Sequence, residues 1–268
     1  MSPDEFFDAL WKDYVAMAPQ AARIREEFES RGEQVVNDHV AFRTLGLEPI
    51  GIERLEPHIL ALGYKQLEPY EFPAKKLRAF GYVSEEPNAP RIFLSELKVD
   101  ELSSKSAAIL KECAAWVDSS ELAEPEVLWS GRLWDPISWD DYQTLVAESE
   151  YAAWVATLGL RPNHFTISVN NLQKTTEVEG VLQVVESLGL AVNDSGGRVK
   201  GSPEQLLEQG STMADKMEVE FADDQTHEVP TCYYEFAKRY PDKDGNLFQG
   251  FVATSADKIF ESTDTKKS

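Results

Sequence analysis

The chain has 268 residues, with 26 Lys and Arg against 47 Asp and Glu, a formal net charge of −21. That length buries a full core as one large domain or as two fused small modules, and 42% hydrophobic content is ordinary for a globular protein. A field this negative argues against nucleic acid and anionic membrane surfaces as partners, and a pocket for an anionic substrate would have to carry its own local cation. The two cysteines, Cys113 and Cys232, have no metal or disulfide spacing and read as small buried hydrophobes. The first residues lack a basic and apolar leader, and no stretch approaches the ~20 apolar residues of a membrane span, so a cytoplasmic protein is expected.

Residues 3–30 carry Phe6, Leu10, Tyr14 and Met17 at helical spacing and resume at Ile24 to Phe28 after Pro19, which predicts helix. Val35 to Arg43 alternates as a strand, with Val40 and Phe42 on one face and His39, Ala41 and Arg43 on the other. A helix over Gly51 to Leu62 follows, stopped by Gly63, and then strands over Tyr64 to Phe72, Leu77 to Val83 and Arg91 to Leu97, the last two parted by a turn at residues 85–90. Residues 98–160 read as a helical connection, whose four tryptophans, Trp116, Trp129, Trp134 and Trp139, are expected to form a packing layer. A strand begins at His164, with His164, Thr166 and Ser168 on its polar face, followed by a helix over Thr175 to Leu188 and several strands up to Tyr240. Thr263 to Ser268 reads as a loose polar tail.

The order repeats. From His39 to Gly63 there are 24 positions and from His164 to Gly189 there are 25, each spanning a strand and a helix that closes in Leu-Gly. Residues 35–97 and 161–263 therefore read as two βαβββ modules within residues 1–268, an α+β chain in which each module offers one histidine to a shared site. Glu235 lies in the aromatic segment Thr231 to Ala237, where a carboxylate needs a partner. Two imidazoles and one carboxylate make a facial triad for non-haem iron(II); the alternative is two ordinary histidines with Glu235 paired to Arg239. Arg43, on the face of His39, either grips a carboxylate of a short diacid or forms an inter-strand ion pair. His58 and His227 read as solvent-exposed, and nucleotide loops and serine-hydrolase elbows are missing from the sequence.

The segments Asn37 to Thr44, Asn163 to Thr166, Tyr233 to Phe236, Gly250-Phe251 and Ala256 to Thr263 resemble the 2-oxoadipate dioxygenase/decarboxylase family. The resemblance implies a vicinal-oxygen-chelate-like fold, a curved sheet around a metal site with added helices. It also implies Fe(2+) held by His39, His164 and Glu235, Arg43 at the substrate carboxylate, and Ser255 in a C-terminal pocket wall. The implied partners are O2 and a 2-oxo dicarboxylate such as 2-oxoadipate, converted to 2-hydroxyglutarate and CO2, the substrate serving as its own reductant. A glyoxalase-type isomerase, an extradiol-type dioxygenase and a non-catalytic ligand-binding protein are the rival readings. Oligomeric state is not readable from the sequence.

Overall fold

The computed structural model describes residues 1–86 and 89–263. Helix α1 (Pro3–Met17) opens with a capping box, Ser2 and Glu5 each satisfying the other's backbone N–H, and Pro3 sits where its missing N–H costs nothing. Pro19 separates α1 from α2 (Pro19–Ser30), so the predicted helical stretch is two helices hinged at Ala18.

The first module then runs through β1 (Asn37–Leu45), α3 (Ile52–Ala61), β2 (Tyr64–Phe72), β3 (Leu77–Ser84) and β4 (Arg91–Leu97). Gly63, at φ +87°, takes the left-handed turn that ends α3 and starts β2. The predicted turn at residues 85–90 includes Pro87 and Asn88, which lie outside the described residues.

The connection supplies α4 (Ser104–Ala115), α5 (Trp139–Glu148) and α6 (Glu150–Leu158), joined by 3-10 turns. Its tryptophans do not form one layer. Trp134 is buried and donates its indole N–H to the Ala156 carbonyl, whereas Trp116 is 59% exposed at the end of α4. The spacing that marks a helix does not say which face a terminal residue turns outward.

The second module comprises β5 (Pro162–Ser168), α7 (Val178–Ser187), β6 (Lys200–Ser202), β7 (Leu207–Ser211), the hairpin β8 (Lys216–Glu220) and β9 (Thr226–Pro230), and β10 (Tyr233–Arg239). A short helix α8 (Ala253–Ile259) and a 3-10 turn over Phe260–Thr263 close the described chain.

Eight strands form one sheet in the order β2-β3-β4-β1-β5-β10-β7-β6, with β8 and β9 paired separately. In each module the first strand pairs in parallel with the last, β1 with β4 and β5 with β10, and the two first strands meet antiparallel at the centre. The halves are thus related by an approximate two-fold, and the expected pair of βαβββ modules is what the chain builds. Helix α8 touches both edge strands, β2 and β6, so the sheet is curled around it as a half-barrel. β5 is buried along its whole length, because α1 covers its outer face through Trp11 and Tyr14 on Phe165 while its inner face lines the hollow.

Thr263 does not belong to a loose tail. It is buried, and its hydroxyl accepts a hydrogen bond from Arg43, while residues 264–268 lie outside the described residues. No helix among the described residues is long and apolar enough to cross a membrane.

Candidate metal centre

Strand register assembles the centre. His39 on β1 pairs with Thr166 on β5, and Thr166 pairs with Glu235 on β10; one step along, Ala41 pairs with His164 and His164 with Tyr233. Neighbours in register share a face, so residues some 125 and 70 positions apart in the chain (roughly, by their numbers) end on the same inner wall. His39, His164 and Glu235 are all buried, and one ligand atom from each lies within 4.8 Å of the others.

Glu235 Oε2 is 3.1 Å from His164 Nε2, and Oε1 is 3.6 Å from His39 Nε2. Ligand atoms held at right angles about 2.1 Å from one ion stand about 3 Å apart, so the donors are spaced as a small divalent transition metal needs. Each histidine is oriented from behind. His39 Nδ1 donates to Asp38 Oδ1 at 2.8 Å and His164 Nδ1 to Asn163 Oδ1 at 3.1 Å, which leaves both Nε2 lone pairs facing inward.

The electrostatics suit a cation. Burial pushes the His164 pKa down, keeping the ring neutral and its lone pair available. Burial alone would raise Glu235, but the neighbouring His39 and His164 imidazoles and the Gln209 amide hold its carboxyl below the ordinary range. Asp38 is also pushed up by burial, and the Arg239 guanidinium overrides this, holding the carboxyl far below its usual value. Arg239 Nε and Nη2 bind Asp38 at 2.8 and 2.9 Å, so Arg239 backs His39 and does not pair with Glu235.

The cavity at the triad is about 20 Å³, and Phe93, Gln209, Tyr233, Phe251 and Phe260 complete most of its wall. Phe251 lies edge-on to the His39 ring at 5.0 Å, and it packs on Gly81 of β3, where a Cβ would come within 3.2 Å of its ring. Gln209 on β7 donates to Glu235 Oε1 at 2.6 Å.

Arg43 does reach the inner face, but at the far end of β1. Its guanidinium lies 5.0 to 5.7 Å from the ring centres of Tyr151, Trp154 and Phe260. Nη2 donates to Thr263 at 3.2 Å, while Nε and Nη1 have no acceptor among the described residues. Three ring contacts return about 0.5–2 kcal/mol each, against several kcal/mol to bury a cation and about 1–3 for each unmade hydrogen bond. Stability alone does not account for an arginine here.

Ser255 is buried on α8 one residue before Ala256, which lines the cavity; Ser255 itself faces Gly201. His58 and His227 stand apart from the centre and are less exposed than expected. His58 bonds the Leu122 carbonyl at 2.9 Å, and His227 stacks on Trp139 at 3.7 Å. The roles of Asp38, Gln209 and Tyr233 escape the sequence reading, which considers Arg239 only as a partner of Glu235. For Asp38 a signal existed: both histidines follow an Asx residue directly.

The sequence profile of the 2-oxoadipate dioxygenase/decarboxylase family matches residues 10–128 and 126–245. The rice protein named 2-oxoadipate dioxygenase/decarboxylase, chloroplastic/amyloplastic, is 38% identical over 97% of this chain and 79% of its own length. A solved Oryza sativa hydroxyglutarate synthase in complex with 2-oxoadipate superposes with TM-score 0.91 at 34% identity, covering 98% of this chain and 94% of that one. A Shewanella frigidimarina structure described as a hydrolase gives TM-score 0.89 at 44% identity, over 94% and 98% of the two chains. A Ralstonia eutropha structure of the glyoxalase superfamily, 22% identical with TM-score 0.74 over 92% and 85%, shares the fold, as the expected vicinal-oxygen-chelate-like architecture requires. The chain belongs to the 2-oxoadipate dioxygenase/decarboxylase family.

Proposed function

We propose that this protein is an Fe(II)-dependent dioxygenase that takes 2-oxoadipate and O2 to 2-hydroxyglutarate and CO2. The observation carrying the proposal is the convergence of two inward-facing imidazole nitrogens and one carboxylate in a buried cavity, in a member of this family. His39, His164 and Glu235 would hold the ion on one side, a donor set of the kind used by non-haem iron oxygenases. When bound, iron(II) supplies two further positions for the carboxylate and keto oxygens of a 2-oxo acid and one for O2.

The remaining work falls to the chain's own residues. Arg43 binds the carboxylate remote from the ion and so sets the length of diacid that fits between the two anchors. Phe93, Phe251 and Phe260 exclude water around the reacting end. Asp38 and Asn163 keep the histidine lone pairs aimed at the ion. A cavity of about 20 Å³ holds about one water, so entry of a six-carbon diacid displaces α8 and Phe260 from the wall; Ser255 acts through this helix. A cytoplasmic setting belongs to the same reading.

The test is anaerobic loading with Fe(II) followed by oxygen uptake with 2-oxoadipate. Equal amounts of O2 consumed and CO2 released, with 2-hydroxyglutarate formed, are expected. Absence of both gas changes with every 2-oxo acid tried sinks the proposal, and activity on a hemithioacetal with nickel or zinc would transfer it to an isomerase.

A further inference from the structure

We propose that Tyr233 determines specificity for diacids, its buried hydroxyl joining Arg43 in binding the substrate carboxylate remote from the metal. This rests on the function proposed above and adds a second donor to its distal anchor.

Tyr233 is fully buried and lines the cavity together with His39, His164 and Glu235. Its ring stacks on His164, 4.6 Å away at 23°. Phenylalanine would stack equally well, so the hydroxyl needs its own explanation. That hydroxyl donates to no acceptor among the described residues, the polar group beside it being the Arg43 guanidinium, itself a donor, and an unmade hydrogen bond in a closed interior is costly.

Position identifies the missing partner. Tyr233 sits in the row of Ala41 and His164, one step from the Glu235 row toward Arg43, on the same inner face. A phenol is protonated at neutral pH and can donate, and the Arg43 guanidinium lies within interaction reach of it. The Tyr233 O–H and Arg43 Nε and Nη1 thus form a corner of donors whose hydrogens meet no further acceptor among the described residues. A carboxylate, with two oxygens and several lone pairs, accepts from all of them at once, whereas a methyl end accepts from none. The neighbouring Tyr151 marks the contrast, its hydroxyl being engaged with the Thr44 N–H and with Ser95.

The experiment compares wild type and Tyr233→Phe, each loaded with Fe(II), on 2-oxoadipate and on 2-oxohexanoate, which ends in a methyl group. The ratio of kcat/KM for diacid over monoacid is expected to fall about tenfold in the variant, chiefly through KM, the size of one charge-assisted hydrogen bond. An unchanged ratio overturns the proposal, as does an equal loss on both substrates, which would make Tyr233 a packing or proton-transfer residue. Anaerobic calorimetry with the same two acids reads the contact without turnover, and about tenfold weaker diacid binding is expected in Tyr233→Phe. If wild type consumes no oxygen with either acid, the proposed function falls, while calorimetry still decides the role of Tyr233: equal diacid binding in both proteins overturns it.

Discussion

The two halves of the sheet place one histidine each at matching positions, yet they fill the next position differently. In the second half His164 pairs with Tyr233, and two residues on along β10 comes Glu235; in the first, His39 pairs with Arg91, and two residues on along β4 comes Phe93. The approximate two-fold therefore sets Phe93 where Glu235 stands, and both line the cavity. A duplicated scaffold offers four inward positions around an ion. A phenyl ring in one of them limits the protein to three donors and leaves one side free for small molecules.

The comparison is broken most severely by removing a donor. His39→Ala, His164→Ala and Glu235→Ala should each lose most of the metal retained by wild type after Fe(II) loading and dialysis, whereas His58→Ala and His227→Ala should keep it. Metal analysis reads this directly, and full occupancy in His39→Ala would remove the first half from the centre.

Restoring the symmetry is the next test. Phe93→His should add a fourth donor, slowing metal release to a chelator while cutting oxygen uptake at least tenfold. Faster release would mean that Phe93 is not in a ligand position.

The residues behind the histidines also differ, Asp38 in one half and Asn163 in the other. Asp38 is ionised and clamped by Arg239, so Asp38→Asn should weaken metal binding about 10–100-fold and also destabilise the metal-free fold by about 3–5 kcal/mol, because Arg239 is left buried without its partner. Asn163→Ala should lower metal affinity with the smaller loss of one neutral hydrogen bond, about 0.5–1.5 kcal/mol. Chemical denaturation of the apo proteins separates them, and equal stability losses would contradict the clamp.

The smallest expected effect lies at the edge of the second half. Burial lowers the pKa of Lys200 to about 8, although Glu235, Asp194 and Glu261 act to raise it. The unfolded value is near 10.5, so between about pH 8 and pH 10 the unfolded chain binds more protons than the folded one. Wild-type stability should therefore gain relative to Lys200→Met as pH rises through that window. A constant difference between the two proteins across it would mean that Lys200 titrates normally.

Much of this was legible along the chain. Alternation around His39 and His164 marked two strands, and the nearly equal distances to Leu62-Gly63 and Leu188-Gly189 exposed the duplication, because period and helix stops are local properties. Arg43 was placed on the face of His39 by the same period of two. The partner of Arg239 was not legible: it binds Asp38, 201 positions away, and not the nearby Glu235. Gln209 stands in a short strand with no pattern of its own, and Thr263 reads as part of a polar tail although Arg43 donates to it across 220 positions.

Residue order by itself determined the two strand-helix units, the polar and apolar faces of their strands and the acidic character of the whole, since these depend on neighbours within a few positions. Tertiary structure alone decided that the two units meet edge to edge antiparallel, that Phe93 and Glu235 occupy matched places, and that a cation and a phenol share one buried corner. Those outcomes depend on the register between strands far apart in the chain. A shift of one residue there would turn every inward side chain outward, and a single strand carries no record of its partner's register.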